Sequence, residues 1–265
     1  MNPFARLGLS EPILRVIEEL GFEEPSEIQS RAVPQLLADE RDFIGLAQTG
    51  TGKTAAFGWP LLERIDVAQN HTQALILSPT RELSLQITKE LEIFGKYLPK
   101  VNTLTVYGGS SIQEQIRALK KPQHIIIATP GRLIDLIKKR AVKLNQIRFL
   151  VLDEADEMLN MGFKEELDEI LQFTPDSKQT WLFSATMAKD IRRIVDTYMD
   201  KPYEVRTNTK NEVNTNIDHQ FALVKNTDKA EALMRFMDVQ PDLRGVVFCR
   251  TRKETQSLAE ELLRR

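Results

Sequence analysis

The chain has 265 residues, and its 36 basic and 38 acidic side chains leave a formal charge of -2. That balance excludes a bulk attraction to anionic polymers, so any nucleic acid would be held by local donors, and the length predicts one large domain plus something more. A single cysteine, Cys249, excludes an internal disulfide, and the lack of a signal segment or of a run of about 20 apolar residues predicts a soluble cytoplasmic protein with no membrane partner.

Near the amino terminus, Ser10 is expected to cap a helix that carries Ile13, Ile17 and Leu20, with Pro12 in its first turn. Ser26 and Gln29 then form a Ser-x-x-Gln capping pattern, in which Gln29 would bond the Ser26 backbone. The apolar run Phe43 to Leu46 reads as a strand and is followed by AQTGTGKT, from Ala47 to Thr54. This segment matches the phosphate-binding loop G-x-x-x-x-G-K-[ST] at Gly52, Lys53 and Thr54, with Ala47 in place of the first glycine. Placed between a strand and an amphipathic stretch, such a loop turns backbone amides at a helix N-terminus toward phosphate oxygens. Gly50 and Gly52 permit the backbone angles required, Lys53 would neutralise the β and γ phosphates, and the Thr54 hydroxyl would help hold Mg²⁺. A plain strand-to-helix glycine turn is the rival reading.

Further short apolar runs, Ala74 to Leu77, Val101 to Tyr107, Ile125 to Ala128, Phe149 to Leu152 and Thr180 to Phe183, alternate with helical patterns such as Leu83, Ile87, Leu91 and Phe94. The alternation predicts an α/β fold with a parallel sheet covered by helices. Thr129-Pro130 starts a helix, and Lys138, Lys139 and Arg140 suit its solvated end. Asp153-Glu154-Ala155-Asp156 closes the run Phe149 to Leu152 at the carboxyl edge of the sheet, where open α/β folds bind ligands. There Asp153 would hold Mg²⁺ and Glu154 would orient and deprotonate an attacking water. Asp156 would bond the hydroxyls of Ser184 and Thr186, for which simple loop or capping chemistry is an equal alternative. Met158, Leu159, Met161 and Phe163 read as packing residues, and His71, His124 and His219 have no ligand spacing.

The polar stretch 207–216, TNTKNEVNTN, suits a linker. Beyond it come strand-like Asp218 to Val224, a helix from Lys229 to Met237, a strand Gly245 to Cys249 and a helix from Lys253. From Ile217 onward the chain is near the smallest size that folds alone, so this βαβα pattern reads as the opening of a cut domain.

AQTGTGKT, Pro79-Thr80-Arg81-Glu82-Leu83, Gly108-Gly109, Thr129-Pro130-Gly131-Arg132, Asp153-Glu154-Ala155-Asp156 and Ser184-Ala185-Thr186, in this order, resemble the DEAD-box RNA helicases, bacterial members in particular. Ala47 is that family's own variant of the loop. The resemblance implies a RecA-like ATP-binding domain over residues 31–206, preceded by an adenine-reading segment in 1–30, and the first part of a second RecA-like domain over 217–265. It implies ATP and Mg²⁺ as ligands, with Gln48, Thr49, Gly50, Thr51, Gly52, Lys53 and Thr54 on the phosphates and Phe4, Phe22 and Gln29 on the adenine. Gln29 therefore has two readings, helix cap and purine contact. Arg81, Gly108, Gly109, Thr129 and Arg132 are implied to grip an RNA backbone without reading bases, and Asp156, Ser184 and Thr186 to couple that grip to ATP. Val246 to Thr251 resembles the first motif of a second lobe whose later motifs supply an arginine. Since such an arginine contributes about 10³ to 10⁵ in rate, these residues alone are expected to turn over very slowly. A silent nucleotide or RNA binder and a P-loop ATPase with another partner are the alternatives.

Overall fold

The computed structural model describes residues 3–207, 218, 220–240 and 242–264. Contacts divide the chain into two units, Met1–Lys210 and Asn211–Arg265. Most of the expected linker, from residue 208 on, and His219 lie outside the described residues.

In the first unit a 3-10 turn, Pro3–Leu7, precedes α1 (Glu11–Glu19) and α2 (Glu27–Ala38). The chain then alternates as β1 (Phe43–Leu46), α3 (Lys53–Arg64), β2 (Ala74–Leu77), α4 (Arg81–Phe94), β3 (Thr103–Val106), α5 (Ile112–Ala118) and β4 (Ile125–Ala128). It continues through α6 (Pro130–Lys138), β5 (Phe149–Leu152), α7 (Ala155–Asn160), α8 (Lys164–Gln172), β6 (Gln179–Ser184), α9 (Lys189–Tyr198) and β7 (Tyr203–Arg206). The strands form one seven-stranded parallel sheet in the order β3-β4-β2-β5-β6-β1-β7.

Side chains on a strand alternate between faces, so each apolar strand feeds two cores. Phe43, Ile76, Ile127, Val151 and Phe183 join α1 to α4 on one face. Their neighbours Ile44, Leu77, Ala128, Leu152 and Leu182 join α6 to α9 on the other. The topology accounts for the division: β1 to β2 to β3 steps one way along the sheet and every later connection steps back, so right-handed crossovers put α3 and α4 on one side and α5 to α9 on the other. β7, absent from the apolar runs of the sequence, is an edge strand in which only Val205 is buried.

The carboxyl edge is tightly tied. Ladder bonds run one residue past the strand ends, from Ala47 N to Ser184 O at 3.0 Å, Asp153 N to Leu77 O at 2.9 Å, Ser78 N to Ala128 O at 3.0 Å and Thr129 N to Val106 O at 3.1 Å. Loops that leave this edge therefore start from fixed positions. At the opposite edge, Asp42 accepts the amides of Thr180 at 2.6 Å and Asp200 at 2.7 Å. His124 Nδ1 there accepts the Asn102 amide at 2.9 Å, and burial lowers its pKa, as suits an acceptor that must stay neutral.

Ser10 occupies the N-cap of α1, with proline in the first turn, but its side chain makes no capping bond; its amide donates to Glu63 Oε1 at 2.8 Å. Among the described residues no helix is long and apolar enough to cross a membrane.

The second unit contains a 3-10 turn, Asn226–Asp228, then α10 (Lys229–Val239) and α11 (Arg252–Leu263), which Thr251 and Glu254 open with a capping box. The strands expected at Asp218 to Val224 and Gly245 to Cys249 are not formed among the described residues. Phe221, Leu223, Val246 and Phe248 are exposed instead. β-branched and aromatic residues favour a strand only where a ladder partner and a covered face exist, and the described residues of this unit supply neither.

Candidate nucleotide and nucleic-acid sites

The loop after β1 is built around Gly52, the N-cap of α3, which sits at φ +85° in the left-handed region. A side chain there is strained by the backbone, and its Cβ, 2.3 Å from Gln29 Nε2, would displace the Gln29 amide. Gly52 O accepts the Ala56 amide at 3.1 Å and starts the helix, so the amides of the first turn remain free to face an anion. Lys53 is buried and its ammonium donates to Ala47 O at 2.9 Å, which folds the charge across the loop.

Gln29 forms the helix cap expected of it and also lines the cleft beside this loop. Its Oε1 accepts the Ser26 amide at 2.9 Å while Ser26 Oγ accepts the Gln29 amide at 3.4 Å, a complete capping box at the start of α2. Its Nε2 meanwhile donates to Gly52 O at 3.2 Å, so one amide joins α2 to the phosphate loop.

Asp153 stands one residue past β5 and is only 3% exposed. Burial pushes its carboxyl up to about 7, against the pull of Lys53, and the Glu154 charge adds to the rise. Glu154 adopts φ +50°, a left-handed conformation unusual for a residue with a side chain, as the N-cap of α7. Such an outlier is retained where surroundings over-determine it, and its amide is held by Asp153 Oδ1 at 3.1 Å.

A cleft of ≈ 560 Å³ brings these groups together, lined by Phe22, Gln29, Thr49, Gly50, Gly52, Lys53, Thr54, Asp153 and Glu154, with one face of α4 as a further wall. Gln48 and Thr51 do not line it; Thr51 Oγ1 donates to Gln48 O at 2.8 Å and closes the turn. Phe4 does not line it either. It is 1% exposed and packs against Phe22 and edge-on against Trp59, so it supports the Phe22 ring from behind and offers no face to a base.

Gly108, Thr129 and Arg132 line a second groove of ≈ 610 Å³, together with Lys138 and the acidic residues of α8, Glu165, Glu166 and Glu169. Arg81 and Gly109 are exposed beside it and do not line it; the Arg81 guanidinium lies 4.7 Å from the centre of the Tyr107 ring. Arg132 is committed within the protein. Its two terminal nitrogens donate to Ser110 O at 3.2 and 3.1 Å and pin the glycine loop to α6. Thr129 is the N-cap of α6, though its hydroxyl makes no capping bond.

Asp156 lines neither cavity and ties the start of α7 to the turn after β6. Its Oδ2 accepts the amide and the hydroxyl of Thr186, each at 3.0 Å, and no bond joins it to Ser184. The Ser184 hydroxyl instead donates to Thr186 O at 2.8 Å and braces the same turn. A larger cleft of ≈ 770 Å³ lies at the amino ends of β3 and β4, beside Asn102 and Gln123, away from all of these groups.

A parallel α/β sheet that presents a phosphate loop, an acidic strand end and a Ser-Ala-Thr turn along one edge is a RecA-like domain. The chain belongs to the DEAD/DEAH box helicase family, whose model matches residues 26–194. It is 45% identical over 262 residues to the DEAD-box ATP-dependent RNA helicase CshA of Geobacillus kaustophilus, covering 99% of this chain and 56% of that protein. It is 44% identical to the ATP-dependent RNA helicase DeaD of Haemophilus influenzae, with 98% of this chain and 42% of that protein aligned. The chain thus spans about half the length of these curated relatives. A solved DEAD box protein from the hyperthermophile Methanococcus jannaschii superposes with a TM-score of 0.74 at 38% identity, covering 98% of this chain and 70% of that one.

Proposed function

We propose that the first cleft binds ATP with Mg²⁺, and that the whole protein couples its hydrolysis to local opening or remodelling of RNA. The observation that carries this reading is the convergence of Gln29, Lys53, Asp153 and Glu154 on one cleft beside a loop whose left-handed Gly52 favours glycine. Lys53 is the counter-charge for the β and γ phosphates, and the first-turn amides of α3 take their oxygens. Phe22 and Gln29 flank the adenine.

The donor set fits Mg²⁺, which is held by one or two carboxylates together with substrate phosphates and not by a protein cage. Accordingly, no cluster of three or more His, Cys, Asp or Glu able to hold a metal occurs among the described residues. Asp153 and the Thr54 hydroxyl would hold the ion, which when bound supplies neutralisation of the phosphate oxygens. Glu154 orients the water and takes its proton. Asp156, through Thr186, ties the acidic strand end to the turn after β6 as a coupling element, and an RNA backbone would lie along the groove of Gly108, Thr129 and Arg132 without base readout.

Nucleotide titration of this chain, and single-turnover hydrolysis with and without RNA on this chain and on the whole protein, test the reading. ATP binding by this chain, slow turnover by it, and RNA-stimulated turnover by the whole protein are expected. Turnover indifferent to RNA would point to an ATPase with another partner, and binding without turnover in either form to a silent module.

A further inference from the structure

On the assumption that the first cleft binds ATP, we propose that Glu90 of α4, held by Gln86, is the acceptor for the ribose hydroxyls of the nucleotide. Leu83, Gln86, Glu90, Ile93 and Phe94 form the face of α4 that lines the cleft. The helix runs along the nucleotide like a ruler. Its first turn follows β2, whose last residue, Leu77, accepts the Asp153 amide at 2.9 Å, so this end adjoins the phosphate chemistry. Its last turn adjoins α1, where Lys96 just beyond the helix donates to Glu19 at 2.7 Å and Leu20 joins Ile93 and Phe22 on the cleft wall. From Leu83 to Ile93 the rise is about 15 Å, enough to span a nucleotide from phosphate to base.

Glu90 falls between the two ends. A carboxylate in a cleft built for a polyanion is repelled by phosphates and cannot serve them. The ribose is the part of the nucleotide that lies there and offers hydroxyl donors. Gln86 Nε2 donates to Glu90 Oε1 at 2.8 Å, one turn along the same helix, and fixes the carboxylate while its second oxygen can accept further bonds.

The test compares ATP with 2′,3′-dideoxy-ATP on this chain and on Glu90→Ala, Glu90→Gln and Gln86→Ala, with thermal melting as the check that each variant is folded. The unsubstituted chain should prefer ATP by about tenfold, the worth of one hydrogen bond to a charged group. Glu90→Ala should lose that preference by weakening ATP while the dideoxy affinity stays within about twofold, and Gln86→Ala should lose part of it. Equal changes for both nucleotides in the Glu90 variants, or a preference that survives them, would overturn the assignment and leave ATP binding standing. No binding of either nucleotide by the unsubstituted chain would overturn both readings.

Discussion

Asp156 Oδ2 accepts two hydrogen bonds from Thr186, one from its backbone amide and one from its hydroxyl, each at 3.0 Å. The carboxylate sits in the first turn of α7, two residues after the Glu154 outlier, and the turn it grips follows β6. A shift at either end must be felt at the other. Neither residue lines the nucleotide cleft, and on the proposed function the bond would couple the sites and would not contact the ligand.

Asp156→Ala should therefore leave ATP affinity within about twofold and lower the RNA stimulation of turnover in the whole protein by about tenfold, inside the range of ordinary coupling energies. Thr186→Val keeps the amide bond and should show a smaller loss. Nucleotide titration beside RNA-dependent turnover checks both, and equal loss in affinity and stimulation would contradict the coupling role.

Gln29 serves two partners through the two ends of one amide, and substitution can separate them. Gln29→Ala removes both the Ser26 cap and the Gly52 bond, so melting should fall by a few degrees, as expected from a cap worth about 1 kcal/mol, and ATP binding should weaken. Gln29→Glu keeps an oxygen for the Ser26 amide but turns an acceptor toward the Gly52 carbonyl. It should keep the cap yet melt below the parent, because two partly buried acceptors then face each other, and it should bind ATP poorly. A Glu variant with intact nucleotide affinity would reduce Gln29 to its cap.

How much of this was legible in the sequence depends on whether a residue's role is local. Five of the six apolar runs announced strands that are buried on both faces, as Phe149 to Leu152 is at every position, while Thr103–Val106 at one sheet edge is buried only at Val106. Tyr203–Arg206 gave no such signal, since at the sheet edge only Val205 needs to be apolar. Gly245 to Cys249 gave the signal and formed no ladder, because a strand is completed by a partner and not by its own composition. At the site, the phosphate loop and Asp153 were legible from spacing. Phe4 was not: an aromatic at a family spacing does not disclose that Phe22 and Trp59 cover its ring. Glu90 looks like any polar helix position until the fold brings α4 against the cleft.

The sequence implies a phosphate contact for Arg132, and the structure engages both its terminal nitrogens with Ser110 O. On the proposed reading, Arg132 would serve RNA binding by holding the Gly108-Gly109 loop in place through two N–H bonds that converge on one carbonyl, a fork that lysine cannot reproduce. Arg132→Lys should weaken RNA binding nearly as much as Arg132→Ala, on the order of tenfold. A lysine variant with full affinity at low salt would restore the direct charge contact. RNA titration at two salt concentrations separates the cases, because loss of a phosphate contact changes the salt dependence and loss of loop placement does not.

Asp153 sets stability against function. Its carboxyl is raised from 3.8 to about 7 by burial, so in the nucleotide-free protein the unfolded chain ionises first as pH rises. Below pH 4 the group is protonated in both states and is neutral for stability. Between pH 4 and 7 the folded state progressively loses ground, by a few kcal/mol in all at about 1.4 kcal/mol per pH unit. Asp153→Asn does not ionise and can still accept the Glu154 amide, so at pH 8 without nucleotide it should be more stable than the parent. The advantage should shrink toward zero as pH falls to 4. Adding ATP and Mg²⁺ at pH 8 should reverse the order, because only the parent gains the bound cation beside its carboxylate. Chemical denaturation of both proteins at pH 4 and pH 8, with and without the ligands, measures all four values; a pH-independent difference would remove Asp153 as its source.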